Sequence, residues 1–378
     1  MKVERINIQN QNNFQDVRNI NIIPDLLFVF GERSLLLKPN LMKEIRSAFP
    51  EAIVFGCSSA GEISGIEVKD SSVSITAVKF EKSHVKLESI SLLDYEDGIK
   101  GSEALIKSLS PHNLKHVMLF SDGLNINGAK LVEGIEAHLP SKVRVTGGLA
   151  ADGTDFKETV VFDKNGNPSK NCIAALGFYG DQITIGYGSN GGWDSFGLER
   201  LVTKSKDNIL FELDDKPALE LYKSFLGERA SELPASGLLF PLSLRENGVS
   251  EPVVRTILGI NEEEQSLIFA GDIPEGSYVK LMKANVDRLI SGAESSAITT
   301  TEMLPKGDAE LAILISCVGR KLVLKQLIEE EVEAVADVVG KQANITGFYS
   351  YGEISPFRCN TPCLLHNQTM TITTISEK

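Results

Sequence analysis

One phrase, written twice, constrains this chain more than any other feature. Gly56-Cys57-Ser58-Ser59-Ala60-Gly61-Glu62-Ile63-Ser64 recurs near the far end as Gly347-Phe348-Tyr349-Ser350-Tyr351-Gly352-Glu353-Ile354-Ser355. The two share G-x-x-S-x-G-E-I-S. Each follows the same lead-in: an apolar strand, a helix, and a second strand that runs straight into the glycine. A short Gly/Ser loop after a buried strand is where an α/β sheet builds a ligand crevice. The repeat therefore predicts one site made from two related halves.

Three segments read as strand, helix, strand and Gly loop. In the first, strands at 25–31 and 52–56 flank a helix near 39–49. In the second, strands at 116–121 and 143–147 flank a helix near 127–138. In the third, strands at 311–316 and 344–347 flank one long helix near 322–339. The strands are short β-branched or aromatic runs ending in small residues. The helices rest on apolar spacing, as in Leu324, Leu327, Ile328, Val332, Val335 and Val339. The middle loop, Gly147-Gly148-Leu149-Ala150-Ala151-Asp152-Gly153, keeps the glycines and lacks the Ser and Glu. After each loop the chain returns as a strand, at 72–80, 173–178 and 369–374.

A different region separates the second and third units. It reads as a hairpin over 202–213 turning at 206–208, and a helix over 217–226 with Pro at its start. Strands come next at 253–260, 266–270 and 278–282, then a helix at 286–299. The fold class is α/β, built of repeated strand–helix–strand units with Gly loops in two related domains, 20–214 and 215–378.

At 378 residues one single core is too little, so two domains are expected. Apolar residues make up 42% and the net charge is −13. That charge would repel nucleic-acid phosphates and anionic membranes. The polar N-terminus lacks the apolar core of a secretion signal, and no apolar run is long enough for membrane insertion. Five scattered cysteines suit a reducing cytoplasm better than a disulfide framework. Asp94, Glu96 and Asp97 read as a solvated acidic run, not an acid/base pair.

GCSSAGEIS, SDGLNINGAKL followed by VTGGLAADG, and VTKSKDNILFELDDKPALELY resemble the N-terminal FIST module. AGDIPEGSYVKLM, ILISCVGRK, ITGFYSYGEISPF and CLLHNQTMTIT resemble its C-terminal companion. The resemblance covers nearly the whole chain. It implies a cytoplasmic sensory module that binds a small ligand, with amino acids proposed as ligands. A subset resembles haem-binding nitric-oxide sensors that act on a partner histidine kinase. The partner implied is a sensor histidine kinase or another signalling protein, and a homodimer is compatible with this reading.

The candidate ligand-binding residues are Gly56, Cys57, Ser58, Ser59, Gly61 and Glu62, with Gly347, Tyr349, Ser350, Tyr351, Gly352, Glu353 and Asn367 from the second copy. The glycines let backbone N–H groups approach a guest, the serines offer hydroxyls, and the glutamates receive an ammonium group. The alternative is that the glycines serve tight turns and the carboxylates tie down loops. Of five histidines, His366 stands out, between Leu364-Leu365 and Asn367-Gln368 ahead of an apolar strand. As a haem ligand it would need an apolar slot, which Phe348, Tyr349, Tyr351 and Phe357 could wall. It is otherwise a core histidine bonded to backbone. Cys359-x-x-x-Cys363-x-x-His366 resembles a metal triad short of a fourth ligand.

Haem-based sensing of nitric oxide is the leading reading, and a small amino-acid-like ligand without haem is the second. A hydrolase using Ser59 or Cys57 with His366 is the alternative from another class. Residue 60 is Ala, which breaks G-x-S-x-G, and the phrase leads into a strand instead of a helix. A pure interaction scaffold is the remaining class.

Overall fold

The computed structural model describes residues 1–95, 98–246, 252–305 and 309–377; Glu96 and Asp97 of the acidic run lie outside them. The α/β class holds, and the repeat behind it is threefold. The first unit runs β1 (Lys2–Ile8), a 3-10 helix, β2 (Leu26–Gly31), α1 (Arg33–Leu36), α2 (Pro39–Ala48) and β3 (Ile53–Ser58). It then sends out a small hairpin, β4 (Glu62–Ser64) and β5 (Glu67–Lys69), and returns as β6 (Val73–Lys79). The second unit repeats this with β7 (His84–Ser91), α3 (Gly98–Ser108), β8 (Leu114–Ser121), α4 (Gly128–Glu136) and β9 (Arg144–Leu149). Its outgoing pair is β10 (Val161–Phe162) and β11 (Pro168–Ser169), and its return is β12 (Cys172–Tyr179).

The third unit opens with β13 (Ile183–Asn190) and is then interrupted by an inserted eight-stranded sheet. That insert comprises β14 (Asp194–Lys206), β15 (Ile209–Leu213), β16 (Lys216–Pro217), α5 (Ala218–Leu226), β17 (Leu242–Arg245), β18 (Val253–Arg255), β19 (Ile257–Asn261), β20 (Ser266–Phe269) and β21 (Tyr278–Lys283). The unit resumes with α6 (Val286–Thr301), β22 (Leu311–Cys317), α7 (Val318–Leu324), α8 (Ile328–Val339) and β23 (Asn344–Ser350). Its outgoing pair is β24 (Gly352–Pro356) and β25 (Cys363–His366), and its return is β26 (Met370–Glu377). The helix expected over 322–339 is broken at Lys325, whose φ of 51° is left-handed. The division near Asp214–Asp215 falls in the turn joining β15 to β16, which pair with each other inside the insert.

No unit keeps its outgoing pair. The sheet of unit one is ordered β1-β6-β2-β3-β10-β11, that of unit two β7-β12-β8-β9-β24-β25, and that of unit three β13-β26-β22-β23-β4-β5. Unit one thus donates to unit three, three to two, and two to one. Where the chains cross over, three equivalent backbone bonds form a ring. Ala60 N donates to Tyr349 O at 2.9 Å, Tyr351 N to Leu149 O at 3.3 Å, and Ala151 N to Ser58 O at 2.9 Å.

The sequence runs reflect this arrangement. Leu26, Phe28 and Phe30 face a central core with Phe55, Phe120, Ile313, Ile315 and Phe348, while Leu27 and Val29 face the helices outside. Strands covered on both sides read as unbroken apolar runs rather than alternating ones. At the centre Phe348 lies 4.8 Å from Phe30 and 5.4 Å from Phe120, centroid to centroid. Among the described residues no helix is long and apolar enough to cross a membrane.

Gly56, Gly147 and Gly347 hold equivalent places, inside strands and not in loops. A Cβ on each would fall 1.8 Å from Val29 O, 1.9 Å from Leu119 O and 1.9 Å from Leu314 O. They are glycines because the neighbouring strand's backbone fills the space of a side chain. Gly56 and Gly347 therefore do not offer their backbone to a ligand. Replacing Gly147 or Gly347 with Ala is expected to cost about 3 kcal/mol, since a main-chain carbonyl cannot yield as a side chain does. Urea unfolding of each variant measures this, and wild-type midpoints would contradict the packing described.

Candidate functional site

The crossover ring fixes the direction in which the chain leaves each strand. Three turns, one per unit, emerge on the same side of the ring. The first carries Ser59 to Glu62, the second Ala151 to Asp155, and the third Tyr351. Asp152 joins them. Its side chain accepts a short hydrogen bond from the Tyr351 hydroxyl, and Tyr351 stacks on Phe156 at 4.6 Å. Asp152 also accepts from the backbone of Lys157 at 2.9 Å and Glu158 at 2.8 Å. The Arg33 guanidinium stands 3.6 Å away. Burial works against its charge, yet these hydrogen bonds and Arg33 hold the Asp152 carboxyl below its ordinary range.

A polar cavity of about 290 Å³ opens between the first two turns. Ser59, Gly61 and Glu62 line one wall, Asp152, Thr154 and Asp155 another, and Arg33 and Asp70 face them. Arg33 donates to the Glu158 carbonyl at 3.2 Å, which leaves other guanidinium N–H groups for a guest. Of the first-copy candidates, Ser59, Gly61 and Glu62 reach this cavity. Ser58 does not: its hydroxyl accepts from Val160 N at 3.0 Å. Cys57 is fully buried opposite Val161, and burial drives its thiol well up, so it is held as an unreactive thiol.

The second-copy candidates are placed differently. Tyr351 lines a neighbouring apolar chamber, but Ser350, Gly352 and Glu353 line neither that chamber nor the polar cavity. Ser350 Oγ donates to Glu353 at 2.6 Å, and Glu353 accepts from Thr369 N at 3.1 Å and Thr369 Oγ1 at 2.9 Å. This carboxyl ties down its own crossover. Glu62 does the same for the first copy, accepting from Ser59 Oγ at 2.5 Å and Ser72 Oγ at 2.7 Å, while keeping one face on the cavity. Gly352 is packed against Leu149 and Leu365.

Tyr349 belongs to a buried polar network that spacing did not reveal. Its hydroxyl donates to Glu331 at 2.7 Å, Ser316 Oγ donates to the same carboxylate at 3.1 Å, and Arg320 pairs with it at 2.7 Å. Arg320 also donates to Leu289 O at 2.7 Å, so α6, α7, α8, β22 and β23 meet at one ion pair without solvent access. Next along the chain, Lys321 Nζ donates to Ala60 O at 2.7 Å and pairs closely with Asp70, clamping the first turn from the third unit. Asn367 Oδ1 accepts from Thr256 N at 3.4 Å and joins the third unit to the insert.

His366 is a core histidine. Its Nε2–H donates to the Ser355 carbonyl at 2.7 Å, the Phe357 ring meets it edge-on at 4.4 Å, and burial lowers its pKa to about 4. It lines neither the polar cavity nor the apolar chamber, although its Nδ1 has no partner. Of the aromatics expected to wall a haem slot, Phe348 fills the central core, Tyr349 is tied to Glu331 and Tyr351 to Asp152. None of them shares the polar cavity or the apolar chamber with His366. Cys359 is exposed and Cys363 buried, with its thiol donating to Val145 O at 3.5 Å. Among the described residues, no three His, Cys, Asp or Glu groups gather to hold a metal ion.

The FIST N domain matches residues 25–216 and the FIST C domain residues 218–356. An uncharacterised protein of Methanocaldococcus jannaschii is 23% identical, over 89% of this chain and 70% of its own length. A cyanuric acid hydrolase from A. caulinodans aligns over 78% of this chain and 99% of its own, at 10% identity and a TM-score of 0.19. A likeness that slight carries no argument.

The carboxyls of the crossovers set a pH signature. Burial raises Glu353 to about 8 and Glu62 to about 7, against an ordinary value of 4.5. The folded chain keeps protons that the unfolded chain releases, so these groups lower stability as pH rises from about 4.5 through 8. Glu353→Gln is expected to flatten the melting temperature measured across that window. An unchanged slope would show that Glu353 is charged when folded.

Proposed function

Because the chain belongs to the FIST family, whose domains are in general sensors for signal transduction, we propose that it is a sensor of a small zwitterion of amino-acid type. The observation that carries this reading is the polar cavity at the meeting point of the turns. Arg33 supplies a planar donor fork for a carboxylate, and Asp152, Asp155 and Glu62 supply acceptors for an ammonium group. Its 290 Å³ suits a small metabolite better than a cofactor.

The walls come from segments that belong to different sheets. A guest bridging Arg33 of the first unit and Asp152 of the second pulls on both crossovers, and through the Lys321 clamp on the third. Binding that favours one arrangement of the turns shifts the population of the whole ring. Output then passes to a partner protein, a sensor histidine kinase being one such partner. Haem chemistry and nitric oxide are left out of this reading, since His366 is enclosed by Ser355 and Phe357. The hydrolase reading loses its base, because no histidine lines the cavity of Ser59.

Calorimetric titration with the twenty standard amino acids is the direct test. At least one is expected to bind saturably and to raise the melting temperature. Arg33→Met and Asp152→Asn should each weaken that binding about tenfold or more, the loss of a charge-assisted hydrogen bond. If no amino acid binds the wild type, the reading fails.

A further inference from the structure

Beside the polar cavity, sharing Thr154 with it, lies a larger apolar one of about 910 Å³. It adjoins an inner chamber of about 150 Å³, and both have Phe156, Leu238 and Leu258 in their walls. Residues of the insert and of the three-unit body line both. In a chain of net charge −13, every charged residue lining the larger cavity is basic: Arg229, Lys283 and Lys325. They stand exposed around an apolar interior, and among the described residues none has an ion-pair partner. Deep in the inner chamber the opposite demand appears. Thr256 is 3% exposed, lines that chamber, and its hydroxyl has no hydrogen-bond partner. An orphaned hydroxyl so deeply enclosed is a cost that a bound polar atom would remove.

We propose that the two chambers form a second binding site for an amphipathic acid: a medium-chain carboxylate with a neutral hydroxyl or carbonyl group remote from the acid. The carboxylate sits among the rim cations, the chain fills the apolar passage past Phe156 and Leu258, and the remote group pairs with Thr256. Charge complementarity fixes the head group, since a cationic amphiphile would meet only like charge. The enclosed inner chamber with its single unmet hydroxyl fixes the far end. This site stands apart from the amino-acid reading and survives or fails without it.

The probes are medium-chain ω-hydroxy fatty acids, the parent fatty acids and the matching α,ω-diols, titrated calorimetrically into the full chain. The ω-hydroxy acid is expected to bind saturably with one site. The parent acid should bind about tenfold more weakly, as one unmet hydrogen bond implies, and the diol should lose a similar factor. Thr256→Val should erase the preference for the ω-hydroxyl, and the double variant Arg229→Met, Lys283→Met should bring the acid down to the diol. The proposal is overturned if diol and ω-hydroxy acid bind the wild type equally, which needs no variant to fold. It is also overturned if Thr256→Val keeps the preference, or if the chain takes up no free amphiphile and binds only anionic lipid vesicles.

Discussion

The three backbone hydrogen bonds that close the crossover ring are the constraint on which the rest of the molecule depends. Ala60, Tyr351 and Ala151 each donate to the strand end of a different unit. A peptide group buried at such a junction must be paired or it costs free energy. Each pairing is possible only if the donor unit sends its next strand into a foreign sheet. That rule fixes the strand order of all three sheets. It also brings the turns that follow the crossings close to one another.

The ring is held by different chemistry at each of its three corners. At the first, Glu62 receives two serine hydroxyls and Lys321 clamps Ala60 and Asp70. At the third, Glu353 receives Ser350 and Thr369. At the second, Ala150 and Gly153 stand where the others have Ser and Glu, and Asp152 makes the connection sideways to Tyr351 instead. The corner that lacks the Ser–Glu tie is thus the one whose side chain reaches both a neighbouring turn and the polar cavity. That places Asp152 where a guest can compete for it.

Much of this was legible in the chain. The doubled G-x-x-S-x-G-E-I-S marks two of the three corners, and Gly147 marks the third, because close backbone approach leaves no other residue type. The strand–helix–strand units were legible because their strands are covered on both faces and read as solid apolar runs. Which sheet receives each outgoing hairpin was not legible, since pairing between Glu62 and Phe348 joins residues far apart in sequence with no local signal. The three units were legible as well, but the middle copy lacks the Ser and Glu, so the site was read as two halves and Asp152 was passed over. Arg33 sits in an ordinary helix start, and nothing in its neighbours separates it from a solvated arginine. The Arg320–Glu331 pair was hidden by the break at Lys325, which the apolar spacing across Leu324 and Leu327 runs straight through. His366 looked exceptional for its place between Leu364-Leu365 and Asn367-Gln368 ahead of an apolar strand, but a neutral imidazole bonded to a carbonyl is what a core strand tolerates.

The cyclic exchange also sets an order of events for the nascent chain. The hairpin of β4 and β5 is made long before its acceptor strand β23. Through most of synthesis that hairpin has an unsatisfied edge, and the sheet of the second unit waits likewise for β24. Native closure therefore waits for β23 and β24, and is governed by contacts of very long sequence separation. Until β23 and β24 arrive, those unpaired edges are open to pairing with other copies of the chain.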